Sequence, residues 1–273
     1  METVMTAKEL ANRCMALATG HKTLYILGCF GAPMNAKNRK RYTQNYSYNA
    51  QADRANKILS ADEDTFGFDC VCMIKGILWG WNGDKSKTYG GAKYKANGVP
   101  DSGADAMFRK CREQSKDFSC LEVGEALWRS GHIGIYIGDG LAVECTPKWA
   151  DGVQITAVNN SIPGYPTRTW TSHGKLPYVS YEDYPLARFR MEVGLVVDNL
   201  PVLSETENRV HILVCLLQKR LNSLGFGAGQ ADGVFGPVTK GAVEAFQKEK
   251  QAAVTGLVDG AVWDLLLEVN SHG

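Results

Sequence analysis

Three side chains in this sequence, Cys70, His132 and Glu144, have the types and spacing for thiol chemistry. Cys70 follows Asp69 and opens an apolar run, Val71 to Trp79, that Gly80 closes. Asp69 has the oxygen to cap such a helix, which puts Cys70 in its first turn. A cysteine attacks only as thiolate, and a helix N-terminus with a nearby imidazolium lowers its pKa into a useful range. His132 is the candidate imidazole. Each also has a plainer reading: a helix cysteine is most often a buried apolar residue, and a strand histidine is most often structural.

The pattern from His132 to Cys145 has period two, HIGIYIG then LAVEC, around Gly138, Asp139 and Gly140. This predicts a β-hairpin. A three-residue loop pairs Ile137 with Leu141, Ile135 with Val143 and Ile133 with Cys145, making one face wholly apolar. A two-residue loop would set Ile135 against Glu144 and bury a carboxylate in that stripe, so the three-residue loop is expected. The opposite face carries His132, Gly134 and Glu144. Glu144 lies diagonal to His132, across about 7 Å of backbone spacing, and Gly134 leaves room for the two side chains to meet. A carboxylate there can fix the tautomer and orientation of the imidazole. Its plainer reading is a solvated residue on an exposed strand face, in which case Asn159, Asn160 and His173 are the next candidates to orient the ring.

The elements that must position these groups can be read in outline. Thr6 and Glu9 form a capping box ahead of Leu10, Cys14 and Leu17, and Gly20 supplies a stop, so a helix is expected over 6–19. Residues 31–57, rich in Asn, Tyr, Lys and Arg without period, read as an elaborated surface loop. Val153 to Val158 and Pro177 to Tyr181 are candidate strands. Residues 183–208, with Pro185 and Pro201, read as a connector. Beyond it Ser204 and Glu207 suggest a second capping box before Val210, Val214, Leu217, Leu221 and Leu224 at helical spacing. Further helices are expected after Pro237 and after Asp259, with DGVFGP at 232–237 and TGLVDG at 255–260 as the turns. The chain thus divides into residues 1–182, a linker at 183–208 and a small three-helix domain at 209–273.

Composition narrows the function classes. Lys+Arg 30 against Asp+Glu 29 gives a net charge of +1, so no basic field exists to gather phosphates and nucleic acid is not an expected partner. No apolar run approaches the roughly 20 residues that span a bilayer, so no membrane insertion is expected. The start, METVMTAKEL, lacks a basic n-region and an apolar core, which points to synthesis in the cytoplasm without a signal peptide. The cysteines at 14, 29, 70, 72, 111, 120, 145 and 215 form no CxxC unit and sit near no zinc-like histidine spacing. No metal, no cofactor and no disulfide framework are expected, and most of these cysteines read as core residues.

Phe68, Asp69 and Cys70 at a helix start, followed by HIGIYIGDG from His132, resemble the NlpC-type cysteine peptidases of bacterial cell walls, over about residues 5–180. The resemblance implies an α+β, papain-like catalytic domain with a central antiparallel sheet and N-terminal helices. It also implies a third catalytic position twelve residues beyond the histidine, and 144 − 132 = 12 gives Glu144. Tyr25, in YILGCFG, resembles the family tyrosine whose hydroxyl lies near the oxyanion or substrate; a core aromatic is its plainer reading. Tyr25 and Asp69 are accordingly assigned to the substrate side. Two departures stand out: Val71 and Cys72 replace the usual Ser and Gly, and 70 − 25 = 45 residues separate Tyr25 from Cys70. Residues 209–270, through DGVFGPVTKGAVEAFQ and TGLVD, resemble a three-helix peptidoglycan-binding domain. Together the resemblances imply bacterial peptidoglycan as partner and an endolysin-like role after phage-type release or non-standard export. The implied reaction is cleavage of the D-γ-glutamyl to diamino acid bond. The N-acetylmuramoyl to L-alanine amide, a non-catalytic wall-binding protein and an acyltransferase are the alternatives.

Overall fold

The computed structural model describes residues 5–118, 121–181, 202–205, 211–229, 231 and 233–268. Most of the expected connector at 183–208, and Glu207 of the expected second capping box, lie outside the described residues. The chain divides into two compact units, Met1–Lys116 with Glu122–Tyr181, and Asp117–Leu121 with Glu182–Gly273.

The first unit opens with α1 (Ala7–Gly20), capped by Thr6, whose hydroxyl accepts from the Glu9 N–H at 3.0 Å. Its apolar stripe, Leu10, Cys14 and Leu17, is buried. β1 (Thr23–Tyr25), β2 (Phe30–Pro33) and β3 (Phe66–Phe68) form a small sheet in the order β1-β3-β2. Between β2 and β3 run α2 (Ala36–Asn45) and α3 (Ala52–Ser60), so the surface loop expected over 31–57 is a strand and two helices instead. The missing period has a physical cause: α2 buries only Asn38 and Tyr42, so it carries no apolar stripe. Local bonds hold it, with the Asn35 side chain accepting from the Asn38 N–H at 3.0 Å.

The helix α4 (Cys70–Leu78) is buried at every position; its sequence is apolar except for Lys75, whose ammonium pairs with Asp101. A short helix, α5 (Ala104–Phe108), follows it. The main sheet comprises β4 (Arg112–Ser115), β5 (Ala126–Arg129), β6 (His132–Gly138), β7 (Leu141–Thr146), β8 (Gly152–Val158), β9 (Thr167–Arg168) and β10 (Ser172–Lys175), in the order β4-β10-β5-β6-β7-β8-β9. Every pairing is antiparallel except β8 with β9. Helices α1 and α4 pack on this sheet against β6 and β7, joining one core that includes Ile133, Ile135, Val143 and Cys145.

The hairpin holds its expected register at Ile135 with Val143 and Gly134 with Glu144, but its turn differs from expectation. Leu141 pairs with Gly138 rather than Ile137, so Ile137 is a bulge and Asp139-Gly140 is a two-residue turn. Both turn residues have positive φ, 51° and 71°, the geometry that matches the twist of the flanking strands. The bulge absorbs the one-residue offset and keeps Glu144 off the apolar stripe. The strand expected at 177–181 is absent; there Ser180 only bridges Thr6. The strand in that region is β10, Ser-His-Gly-Lys, whose polar sequence gives no alternation to read.

In the second unit, α6 (His211–Ser223), α7 (Pro237–Glu249) and α8 (Gly260–Glu268) surround a core of Val214, Leu217, Leu221, Phe235, Val243, Phe246 and Trp263. Pro237 opens α7 where its missing N–H costs nothing, and Asp259 caps α8 by accepting from the Val262 N–H at 3.0 Å. Two buried glutamines tie the turns to the helices. Gln218 accepts from the Gly233 N–H at 2.9 Å and donates to the Val234 carbonyl at 3.0 Å, while Gln247 accepts from the N–H groups of Thr255 and Gly256, each at 2.9 Å. Cys14, Cys29, Cys70, Cys72, Cys111 and Cys145 are free and buried, as expected for core cysteines, whereas Cys215 is disulfide-bonded.

Candidate active site

The start of α4 is built around Asp69. Its Oδ1 accepts from the Cys72 N–H and its Oδ2 from the Gly28 N–H, both at 2.7 Å, so one buried carboxylate caps the helix and ties down the β1–β2 connection. Gly28 has φ +78°, and a Cβ there would meet the Tyr46 ring at 2.2 Å, so only glycine brings its N–H this close. Tyr25, Asp69 and Cys70 line one cleft of about 440 Å³ together with Lys75, Asp101 and Ser102. Gly131, the residue before His132, also reaches it.

Cys70 is 7% exposed, and its thiol is pushed up to about 12, first by burial and then by the Asp69 carboxylate. The N–H groups of Ile133, Val71 and Cys70 itself pull in the other direction. The resting group is therefore a thiol, and it becomes a nucleophile only by giving its proton to a base. The Ile133 contact places the sulfur beside the first residues of β6, one residue from His132.

His132 Nε2 is 2.7 Å from Glu144 Oε2. That contact commits Nε2 to the carboxylate and leaves Nδ1 as the nitrogen available for proton exchange. The ring lies parallel to Trp170, with centroids 5.4 Å apart and planes 10° apart. A Cβ at Gly134 would sit 2.9 Å from Trp170 and 2.9 Å from the Val143 carbonyl oxygen, so the space that glycine leaves is filled by the indole. Glu144 is fully buried, and besides His132 it accepts from Thr156 Oγ1 at 2.8 Å and from the Arg168 guanidinium at 2.7 to 3.0 Å. Burial pushes its carboxyl up, but hydrogen bonds and charge from His132 and Arg168 outweigh that and hold it below the ordinary glutamate value.

The sequence-predicted residues thus fall into two groups: Tyr25, Asp69 and Cys70 line the cleft, and His132 is bonded to Glu144, with Gly131 just before it also lining the cleft. The reserve candidates are engaged elsewhere. His173 Nδ1 is 2.8 Å from the buried Glu125, Asn159 accepts from the Trp170 N–H at 2.6 Å, and Asn160 accepts from the Ser161 N–H at 2.8 Å. Thr156, Arg168 and Trp170 escaped the sequence reading. Thr156 alternates with the apolar residues of β8 and could have been placed by register, whereas Arg168 and Trp170 follow the irregular 159–166 segment and carry no local signal. Among the described residues, no group of His, Cys, Asp and Glu is arranged to hold a metal ion, and no helix is long and apolar enough to cross a membrane.

Comparison with known proteins adds a finding for the second unit. Residues 211–266 match the putative peptidoglycan binding domain family. Among solved structures, NlpC2 from Trichomonas vaginalis is similar at 14% identity, over 64% of this chain and 48% of that one, with a TM-score of 0.32. The chain therefore spans about half the length of that protein. No curated protein matches.

Proposed function

We propose that this protein is an endolysin-like peptidoglycan hydrolase that cleaves an amide of the stem peptide by a Cys70–His132–Glu144 thiol mechanism. Bacterial peptidoglycan is the proposed partner of residues 209–273, a reading supported by the family match over 211–266. The observation that carries the catalytic reading is the 2.7 Å contact of His132 Nε2 with the buried Glu144, next to the helix start that bears Cys70.

Cys70 passes its proton to Nδ1 of His132, and the sulfur adds to the scissile carbonyl. The Cys70 N–H donates to the developing oxyanion, with the Tyr25 hydroxyl on the same cleft. Collapse of the tetrahedral adduct breaks the C–N bond as the imidazolium returns its proton to the leaving amine. Water, deprotonated by His132, then hydrolyses the thioester and frees Cys70. Glu144 holds the ring and stabilises the imidazolium throughout. The proposed bond is that from D-γ-glutamyl to the diamino acid, and the tethered second unit raises the local concentration of wall substrate.

A second reading, a wall-binding protein with a silent site, is favoured by one observation, the burial of Cys70, only 7% exposed, which pushes its thiol up. Solubilisation of purified sacculi decides between them. Cys70→Ala and His132→Ala should abolish solubilisation while both variants still pellet with sacculi. A Cys70→Ala protein that clears sacculi at the wild-type rate overturns the mechanism, and a wild-type protein that binds without clearing establishes the second reading.

A further inference from the structure

Behind the proposed Cys70–His132–Glu144 set lies a cation that this set does not use. Arg168, the last residue of β9, donates from Nε to both Glu144 oxygens, at 3.0 and 2.9 Å, and from Nη2 to Oε2 at 2.7 Å. Arg168 is itself fixed: Nη2 also reaches Thr146 Oγ1 at 3.2 Å, and its Cζ lies 4.6 Å from the Trp149 ring. Its side chain is 10% exposed and that of Glu144 is 0% exposed. We infer that Arg168 is a positioning residue of the site, which clamps Glu144 and sets how tightly that carboxylate holds the His132 proton.

The inference rests on the reading of Cys70 and His132 as nucleophile and base. A base in such a cycle must accept the thiol proton and then release it to the leaving amine. An unshared carboxylate 2.7 Å from the ring, out of contact with water, would hold the imidazolium too firmly to release it. A guanidinium bonded to both carboxylate oxygens, Oε2 included, offsets that charge, and its planar fork holds Oε2 in place to orient the ring. Thr156 satisfies Oε1 but brings no charge. The other charged or titratable groups around His132 do not perform this function. Arg129 on β5 pairs across from it and is exposed, Asp105 on α5 accepts from the Gly131 N–H, and Asp69 on α4 is bonded to Cys72 and Gly28.

A purely structural Arg168 would only keep Glu144 soluble in the core, and its loss would lower activity at every pH alike. A positioning Arg168 predicts a shift in pH profile, read with a soluble stem tripeptide that contains the D-γ-glutamyl to diamino acid bond. Arg168→Met should lower kcat roughly a hundredfold with KM nearly unchanged. It should also move the acid limb of kcat/KM upward by about one pH unit, because the imidazolium has lost a neighbouring positive charge and a higher pH is needed to free the base. Arg168→Lys should restore the limb and part of the rate. Should Arg168→Met not fold, Glu144→Gln with and without Arg168→Met gives the same comparison without a buried unpaired carboxylate, and the double variant should have the higher limb. Coincident limbs in either comparison, with Cys70→Ala and His132→Ala inactive, overturn the inference about Arg168 alone. Activity in Cys70→Ala or His132→Ala overturns the catalytic reading on which it rests.

Discussion

Replacing Glu144 separates orienting a base from holding a core together, because both depend on one buried carboxylate. Glu144→Ala removes the partner of Arg168, whose side chain is only 10% exposed, and leaves a cation stranded inside the sheet. Breaking a buried pair from one side costs about 3–5 kcal/mol. For a domain of this size each kcal/mol lowers Tm by about 2–4 °C, so a fall of roughly 10 °C is expected by calorimetry. Glu144→Gln keeps the shape and one oxygen, which can still serve Arg168 and His132 together, but its NH2 then faces the Thr156 hydroxyl and Arg168 Nε as a donor, which should cost about 1–3 kcal/mol. Turnover of a soluble stem peptide should drop in Glu144→Gln toward the roughly 10⁴-fold loss seen when a triad carboxylate becomes an amide. Glu144→Ala should fall further, since nothing then holds the ring. Alkylation of Cys70 should need higher pH in both variants. Lower Tm with wild-type turnover and an unchanged alkylation profile would refute the orienting role and leave Glu144 as the anchor of Arg168 only.

Three further outcomes follow from the same geometry. Gly134→Ala forces a Cβ to within 2.9 Å of the Val143 carbonyl and of Trp170, so it should destabilise by about 1–3 kcal/mol in thermal melts and reduce turnover by displacing the indole from His132. Asp69→Asn keeps a capping oxygen for the Cys72 N–H but removes the charge that raises the Cys70 thiol, so iodoacetamide should alkylate Cys70 faster at pH 8 than in the wild type. The carboxyl of Glu144 lies below its ordinary value of 4.5, so its native contacts stabilise the fold above that pH and are lost as pH falls through the lower native value. Acid titration of stability should therefore steepen below about pH 4.5 in the wild type and flatten in Glu144→Gln.

What could be read in the sequence was whatever a local period or a single cap determines. Thr6, Asp69, Pro237 and Asp259 fixed four helix starts, because each supplies an oxygen or a preset φ that only one position can use. The contact of Glu144 with His132 was legible for the same reason, since one apolar face of a hairpin determines the other. The turn was not, because a bulge and a two-residue turn give the same register beyond Tyr136 as the longer loop. Nor were α2 and α3, whose polar surfaces depend on long-range anchors such as Arg54 bonded to Asp151 at 2.6 Å. Arg168 and Trp170 are the limiting case: they meet Glu144 and His132 only through the pairing of β9 and the path of the chain after it, which no local pattern encodes.

The most direct measurement is mass spectrometry of the fragments released from purified sacculi, with the digestion run in H₂¹⁸O. A thiol hydrolase acting on the proposed bond should release fragments ending in a new D-glutamyl γ-carboxylate that carries ¹⁸O, with the diamino acid amine exposed on the other product. Cys70→Ala should release none. New lactyl carboxylates with free L-alanine termini would move the cut to the muramoyl amide. No release from sacculi that bind the protein, or equal release by Cys70→Ala, would contradict hydrolysis through Cys70.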